Sequence, residues 1–258
     1  MAKSLGGSLL IRNGDILDYC YIQSIQCLLE FCDKVVVCVV PTGQDGDNTS
    51  FNIFNTFELA IRSGQLYVRI MQDADWLNMD FQTKHRLSIY TNYAIEMLDT
   101  DYVFNLQSDE ILDPSSYEWV RRAIEEGQEG YLCRRINLWG SPYTQLNVPH
   151  HRLPCSTEIV RLTKTCYRSY DDAESIAAPC VDSYLDKIKI WHMGFVRKRE
   201  VHPAKIREMQ ANVFRCGVDS KLEGMEVFDS AKWFGPEDLI PIQGELPPLI
   251  QQWARERE

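Results

Sequence analysis

The sequence predicts an α/β protein with a single mixed, mostly parallel sheet flanked by helices. Three observations carry that expectation. Short apolar strands alternate with amphipathic helices over the first ~125 residues, the pattern of a largely parallel sheet. Val35 to Val40 is an unbroken, mostly β-branched apolar run, as in a strand covered on both faces. After residue 130 strands recur with long irregular connections, so the second half completes the same sheet in a mixed manner.

The elements follow in order. Residues 8–12 read as a short buried strand that Asn13-Gly14-Asp15 breaks. Leu17, Tyr21, Ile25, Leu28, Leu29 and Cys32 then share one helical face. The strand at 35–40 opens into a loop rich in Gly, Asp, Asn and Thr, from Pro41 to Asn55. Leu66 to Ile70 is a strand, and 83–98 a helix with Leu87, Tyr90, Ala94, Ile95 and Leu98 inward. Tyr102 to Leu106 is a strand running into Gln107-Ser108-Asp109-Glu110, and Pro114 starts a helix through Ile124. Further strands are expected at 131–138, 157–163 and 186–192, with helices at 203–216 and 247–257. The expectation is one domain over 1–258: a ligand-binding half (1–125), a second half (126–215) and a C-terminal extension (216–258) whose Pro- and Glu-rich tail packs loosely.

Composition narrows the class. The chain has 258 residues, 45% hydrophobic and 25% charged, which excludes collagen-like, disordered and disulfide-scaffold proteins. No apolar run approaches the ~18–20 residues that span a bilayer, and Met1 to Arg12 lacks a signal-peptide plan. A formal charge of −10 provides no global attraction to nucleic acid, although a local basic groove is compatible with it. The nine cysteines are scattered, odd in number and without a C-x-x-C pair, so they read as buried free thiols. The expected location is cytoplasmic, at most peripheral to a membrane face.

Three segments carry candidate chemistry. In Gln107-Ser108-Asp109-Glu110, adjacent carboxylates at a strand end need a positive partner, either a divalent cation or the groups of an ordinary turn. In Trp191-His192-Met193-Gly194-Phe195-Val196-Arg197, the strand-end histidine is either a metal ligand or a satisfied buried imidazole. Asp171-Asp172-Ala173-Glu174-Ser175 offers either a general base or a solvated turn.

Taken in order, these segments resemble the nucleotide-sugar glycosyltransferases of the A-type fold, close to the inverting family 2. The likeness begins at Leu10-Ile11-Arg12-Asn13-Gly14 and includes strand 35–40 with its Gly/Asp/Thr loop and the helix at Gln82 to Asn92. It continues through Leu138-Trp139-Gly140-Ser141 and Tyr170 to Glu174, and closes on the histidine segment, covering roughly residues 8–210. Gln107-Ser108-Asp109-Glu110 resembles a degenerate D-x-D motif in which Gln107 replaces the first aspartate.

The resemblance implies a hexosyl- or pentosyltransferase that moves a sugar from a nucleotide-diphosphate donor, with a UDP-sugar favoured, to an acceptor hydroxyl with inversion. It implies Mn²⁺ or Mg²⁺ held by Asp109 and His192, with Glu110 behind them. Asp172 is the implied base, with Glu174 and Asp171 as substitutes. Arg12, Asp45, Asp73, Asn92, Gln107, Ser108 and Arg197 are expected around the donor, and Trp139 and Tyr143 on the acceptor side or in the core. The acceptor is a saccharide, a glycolipid or a hydroxymethylated DNA base. For DNA, Arg121-Arg122, Arg134-Arg135 and the segment from Arg197 to Arg207 would track phosphates. Two other classes fit the same carboxylates: a glycoside hydrolase, and a nucleotide- or sugar-binding module without activity. The sequence specifies no oligomeric state.

Overall fold

The computed structural model describes residues 2–41, 46–72, 84–147, 156–171, 173–201, 204–205 and 236–257. Four parallel strands form its first half: β1 (Leu5–Arg12), β2 (Lys34–Val40), β3 (Leu66–Ile70) and β4 (Tyr102–Gln107). Their order is β3-β2-β1-β4, with each crossover made through helix, as parallel neighbours require. The helices are α1 (Tyr21–Phe31), α2 (Thr49–Thr56), α3 (Glu58–Arg62) and α4 (Lys84–Glu96).

β2 shows why its sequence is apolar at every position. Val35, Val37 and Val39 enter the core beneath α1, while Val36 and Cys38 pack with Ala94, Ile95 and Leu98 around α4 on the other face. The period of two sends alternate side chains into two cores. Leu28 and Ile25 of α1 are fully buried, as are Tyr90, Ala94 and Ile95 of α4, which bears out the inward faces read from spacing. The first helix starts at Tyr21; residues 13–19 form turns instead, with Asn13 and Asp18 in left-handed conformation at φ 56° and 53°.

The second half extends the sheet antiparallel. β8 (Glu158–Lys164) pairs with β4, β6 (Gly130–Trp139) with β8, β7 (Ser141–Leu146) with β6, and β10 (Leu239–Pro241) with β7. The sheet is therefore mixed: parallel in its first half and mainly antiparallel in its second. β9 (Lys189–Phe195) lies parallel to β6 and antiparallel to the short β5 (Glu110–Leu112). It starts three residues later than the expected 186–192. Between β5 and β6 runs α5 (Tyr117–Glu126), preceded by a 3-10 turn at Pro114–Ser116 whose entry Asp113 caps by accepting from the Ser115 backbone N–H. Of the helix expected at 203–216, only 204–205 are described, and they are helical.

The described end of the C-terminal segment, 236–257, is not loosely packed. Helix α6 (Pro248–Arg255) lies against α1 and buries Leu249, Ile250 and Trp253 in the main core. Its apolar residues recur at helical spacing, a signal that the surrounding prolines and glutamates mask in a compositional reading. Cys20, Cys27, Cys32, Cys38 and Cys133 are buried free thiols as expected, whereas Cys166 and Cys180 are exposed. Among the described residues no helix is long and apolar enough to cross a membrane. Because Trp253 is 2% exposed, Trp253→Ala should cost about 3–5 kcal/mol through lost burial and a residual cavity, read as a lower urea midpoint.

Candidate functional site

The site forms where β1, β2 and β4 end, the side of a parallel sheet on which ligands collect. After Gln107 the chain makes a two-residue turn through Ser108 and Asp109 and re-enters the sheet as β5. In β5, Glu110 pairs with His192 of β9, and the Met193 N–H donates to the Asp109 carbonyl at 2.7 Å. This register brings the D-x-D-like segment and the histidine segment together, although they lie more than eighty residues apart.

The two adjacent carboxylates have separate partner sets. Asp109 Oδ2 accepts from Arg197 Nη2 at 3.0 Å and from Lys205 Nζ at 3.3 Å. Glu110, fully buried, accepts from Arg161 at 2.8 Å, faces Arg135 at 3.5 Å, and takes the Gln107 backbone N–H at 3.0 Å. Burial alone would raise both carboxyl groups. The charges of Lys205 and Arg197 outweigh it at Asp109, and those of Arg161 and Arg135 at Glu110, so both lie below the usual carboxylate range. Glu110 is thus the anchor of a buried ion network, with no direct line to a ligand.

His192 is buried beside Asp109, with Nε2 3.8 Å from Oδ1. Nδ1 lies 2.9 Å from the side-chain amide of Asn137. Burial pushes the imidazole pKa down to about 3, so the ring is neutral at physiological pH. Gly194 makes this approach possible. A Cβ there would fall on the His192 ring, 2.6 Å from Cε1, and 3.3 Å from Asp109 Oδ2.

Arg197 is sequestered. Its guanidinium donates to the Gly194 carbonyl at 3.0 Å, to the Leu17 carbonyl and to Asp109, and it lies over the Tyr19 ring at 4.3 Å. Lys205 shares that ring at 5.1 Å. The turn after β1 therefore lies against both cations. The same turn leads back to a polar cluster. Asp15 accepts from Tyr21 at 2.7 Å and from Asn52, and Thr49 donates to Asp47 at 2.5 Å. Buried Asn13 Oδ1 and Asp47 Oδ2 have no hydrogen-bond partner among the described residues. Gly14 lies so close to Tyr21 and Thr49 that a Cβ would sit 2.8 and 2.9 Å from them.

The segment around Ala173 is tethered across the end of β4. Arg161 Nη1 and Gln107 Nε2 donate to the Ala173 carbonyl at 3.0 and 3.4 Å, and Arg135 pairs with Glu174, which also accepts from the Ser156 N–H at 3.1 Å. Asp171 and Ala173 have φ of 49° and 62°; for the alanine this left-handed backbone costs roughly 1–2 kcal/mol. Strain of this kind persists where surrounding contacts hold it.

Several expected site residues have other surroundings. Asp45, Asp73 and Asp172 lie outside the described residues. Asn92 latches the second half, donating to the Ser169 carbonyl at 3.0 Å and accepting its N–H at 2.7 Å. The Ser108 carbonyl receives the Ser24 hydroxyl at 3.4 Å. Arg12 ends β1 opposite Val40. Trp139, 3% exposed, is core, stacked on Phe195 at 4.4 Å, while Tyr143 is 52% exposed. The arginine pairs form no phosphate track. Arg121 pairs with Asp33, Arg122 with Glu118, Arg134 with Glu158 and Asp186, and Arg135 with Glu110 and Glu174. Sequence reading missed Asn13, Asp47, Asn137, Arg161 and Lys205. Asn13 and Asp47 stand in segments read as turns, and nothing local distinguishes the others.

Of the residues that the resemblance assigns to Mn²⁺ or Mg²⁺, His192 stands beside Asp109, and Asp109 Oδ2 is already engaged by two cations, Arg197 and Lys205. Among the described residues no three His, Cys, Asp or Glu side chains converge to hold a metal.

No protein-family model matches the chain, and no curated protein matches it. Solved structures do. TarS 1-349 of S. aureus is 12% identical with a TM-score of 0.43, covering 81% of this chain and 65% of that one. Its complex with UDP-GlcNAc gives 12%, 0.45, 81% and 67%. A putative glucose-1-phosphate thymidylyltransferase from Bacillus anthracis, in complex with a sucrose, gives 8%, 0.35, 81% and 78%. The chain thus spans less than two thirds of the first TarS chain. These are likenesses of fold, and the functional reading rests on the side chains.

Two predictions follow from this geometry. Gly194→Ala should displace the buried His192 ring and destabilise the fold by about 1–3 kcal/mol, seen as a lower urea midpoint. His192 has a folded value (about 3) below its ordinary one near 6.5, so the unfolded chain takes up the proton first. Its contribution to stability is complete above pH 6.5 and declines as pH falls towards 3, by up to about 1.4 kcal/mol per unit. Urea midpoints measured against pH should show this slope, and His192→Gln should flatten it.

Proposed function

We propose that the protein is a glycosyltransferase that takes a sugar from a nucleoside-diphosphate donor and passes it to an acceptor hydroxyl with inversion. One observation supports this most. Two cations, Arg197 and Lys205, converge on Asp109 at the end of β4 and lie against the Asn13–Tyr19 turn, and the buried acceptors Asn13 Oδ1 and Asp47 Oδ2 have no hydrogen-bond partner among the described residues. Cations suit a diphosphate, and unpaired acceptors suit the N–H and hydroxyl groups of a nucleoside. A glycoside hydrolase needs two carboxylates open to the sugar, whereas Asp109 and Glu110 are both occupied by cations.

In the proposed reaction the acceptor oxygen bonds to the anomeric carbon as the bond from that carbon to the diphosphate oxygen breaks. The electron pair of the broken bond leaves with the diphosphate, and fixed positive charge at that point lowers the barrier. The acceptor proton passes to a carboxylate of the 171–174 segment. The resemblance implies Asp172 as that base, and Glu174, engaged by Arg135 and Ser156, anchors the segment together with Arg161. Attack opposite the leaving group inverts the anomeric centre.

The acceptor is proposed to be a saccharide or glycolipid hydroxyl. The pairing of Arg121, Arg122, Arg134 and Arg135 with acids favours it over duplex DNA.

Incubation with a panel of UDP-, GDP- and dTDP-sugars, without added acceptor, should release free nucleoside diphosphate from at least one donor. A protein that neither cleaves nor is thermally stabilised by any of them would overturn the reading. Asp172→Asn should lower turnover about a hundredfold or more while leaving donor affinity nearly unchanged.

A further inference from the structure

We infer that Arg161 and Gln107 are positioning residues for the proton transfer: through the Ala173 carbonyl they hold the 171–174 segment in a strained conformation on which turnover depends. The inference rests on the nucleotide-sugar reading above, in which this segment takes the acceptor's proton. Among the described residues four non-glycine residues have left-handed backbone: Asn13, Asp18, Asp171 and Ala173. Asparagine and aspartate tolerate that region because their short polar side chains bond locally, whereas alanine has no such relief. Ala173, buried and at φ 62°, is the outlier of the four.

The contact that holds it is costly on both sides. Arg161 is fully buried. Its Nη1 donates to the Ala173 carbonyl at 3.0 Å and its Nη2 to Glu110 at 2.8 Å, but Nε has no hydrogen-bond partner among the described residues. Strained backbone and unpaired buried donors gather where function requires them. Closing the loop does not require them, because its base is secured separately. Ser169 pairs with Ile176, and the Val160 N–H donates to Ser175 Oγ at 3.0 Å. Gln107 fits the same role. It stands where the D-x-D pattern has aspartate, and its Nε2 donates to the same Ala173 carbonyl at 3.4 Å. A carboxylate there has no donor for a carbonyl and would stand near Glu110, whose Oε2 accepts the Gln107 backbone N–H at 3.0 Å. Fixing Ala173 restricts the neighbouring Asp172, the implied base, and a misplacement of about 1 Å at a reacting group costs up to about a hundredfold in rate.

Turnover is measured as nucleoside diphosphate released from UDP-, GDP- and dTDP-sugars, with water as acceptor. Ala173→Gly frees the backbone, since glycine adopts left-handed φ without strain. For the donor that the wild type cleaves, kcat should fall about tenfold, KM should stay within about twofold, and the urea midpoint should lie at or above that of the wild type. A merely structural role would instead lower the midpoint and leave kcat of the folded protein unchanged. Gln107→Glu should lower kcat about threefold, and the double variant should lose little more than Ala173→Gly alone, because both act through one carbonyl. Both variants leave the Arg161–Glu110 pair in place, so the test does not depend on altering buried ions. Unchanged kcat in Ala173→Gly, or a raised donor KM with kcat intact in Gln107→Glu, would overturn the inference and leave the donor reading standing. A wild type that cleaves no donor would overturn the inference, and if no donor stabilises it either, the nucleotide-sugar reading as well.

Discussion

The placement of two adjacent carboxylates at the end of β4 constrains the whole architecture. Neither Asp109 nor Glu110 can be buried ionised without cations. The chain resolves this by turning at Ser108–Asp109, so that the two side chains meet different neighbours. Glu110 meets Arg161 and Arg135 from the antiparallel half, and Asp109 meets Arg197 and Lys205 from beyond β9. Both halves of the molecule are thereby tied to one tetrapeptide.

That arrangement links structure to chemistry in two directions. The Glu110 network reaches outward through Arg161 and Arg135 to Ala173 and Glu174, holding a strained segment rich in carboxylates. The Asp109 cluster reaches through Arg197 to Leu17 and Tyr19, and so to the turn that leads to Asn13 and Asp47. The groups proposed to serve donor and acceptor are linked to the same pair of residues. The proposed reaction needs this, since transfer depends on reacting groups held in one geometry.

Much of the fold was legible. The parallel strands, the inward faces of α1 and α4 and the buried thiols follow from local apolar periodicity, a property of the chain itself. The docking of α6 was obscured by its composition, though Leu249, Ile250 and Trp253 stand at helical spacing. The site was legible in part. Asp109, Glu110, His192 and Arg197 were singled out as unusual for their positions, and the structure brings all four together. Their partners were not visible. Arg161, Arg135 and Lys205 are ordinary basic residues in sequence, and only the antiparallel register of β8 and β6 beside β4 carries the two arginines to Glu110.

The sequence by itself determined the alternation of elements, the two-faced burial of β2 and the segments where charge must be answered. Those properties depend on neighbours a few residues away. Tertiary structure alone decided what answers the charge. Counter-ions come from residues 25 to 96 positions distant, and burial at the end of β4 lets just those that converge there count. It thereby decided that Asp109 lies between an arginine and a lysine, beside His192.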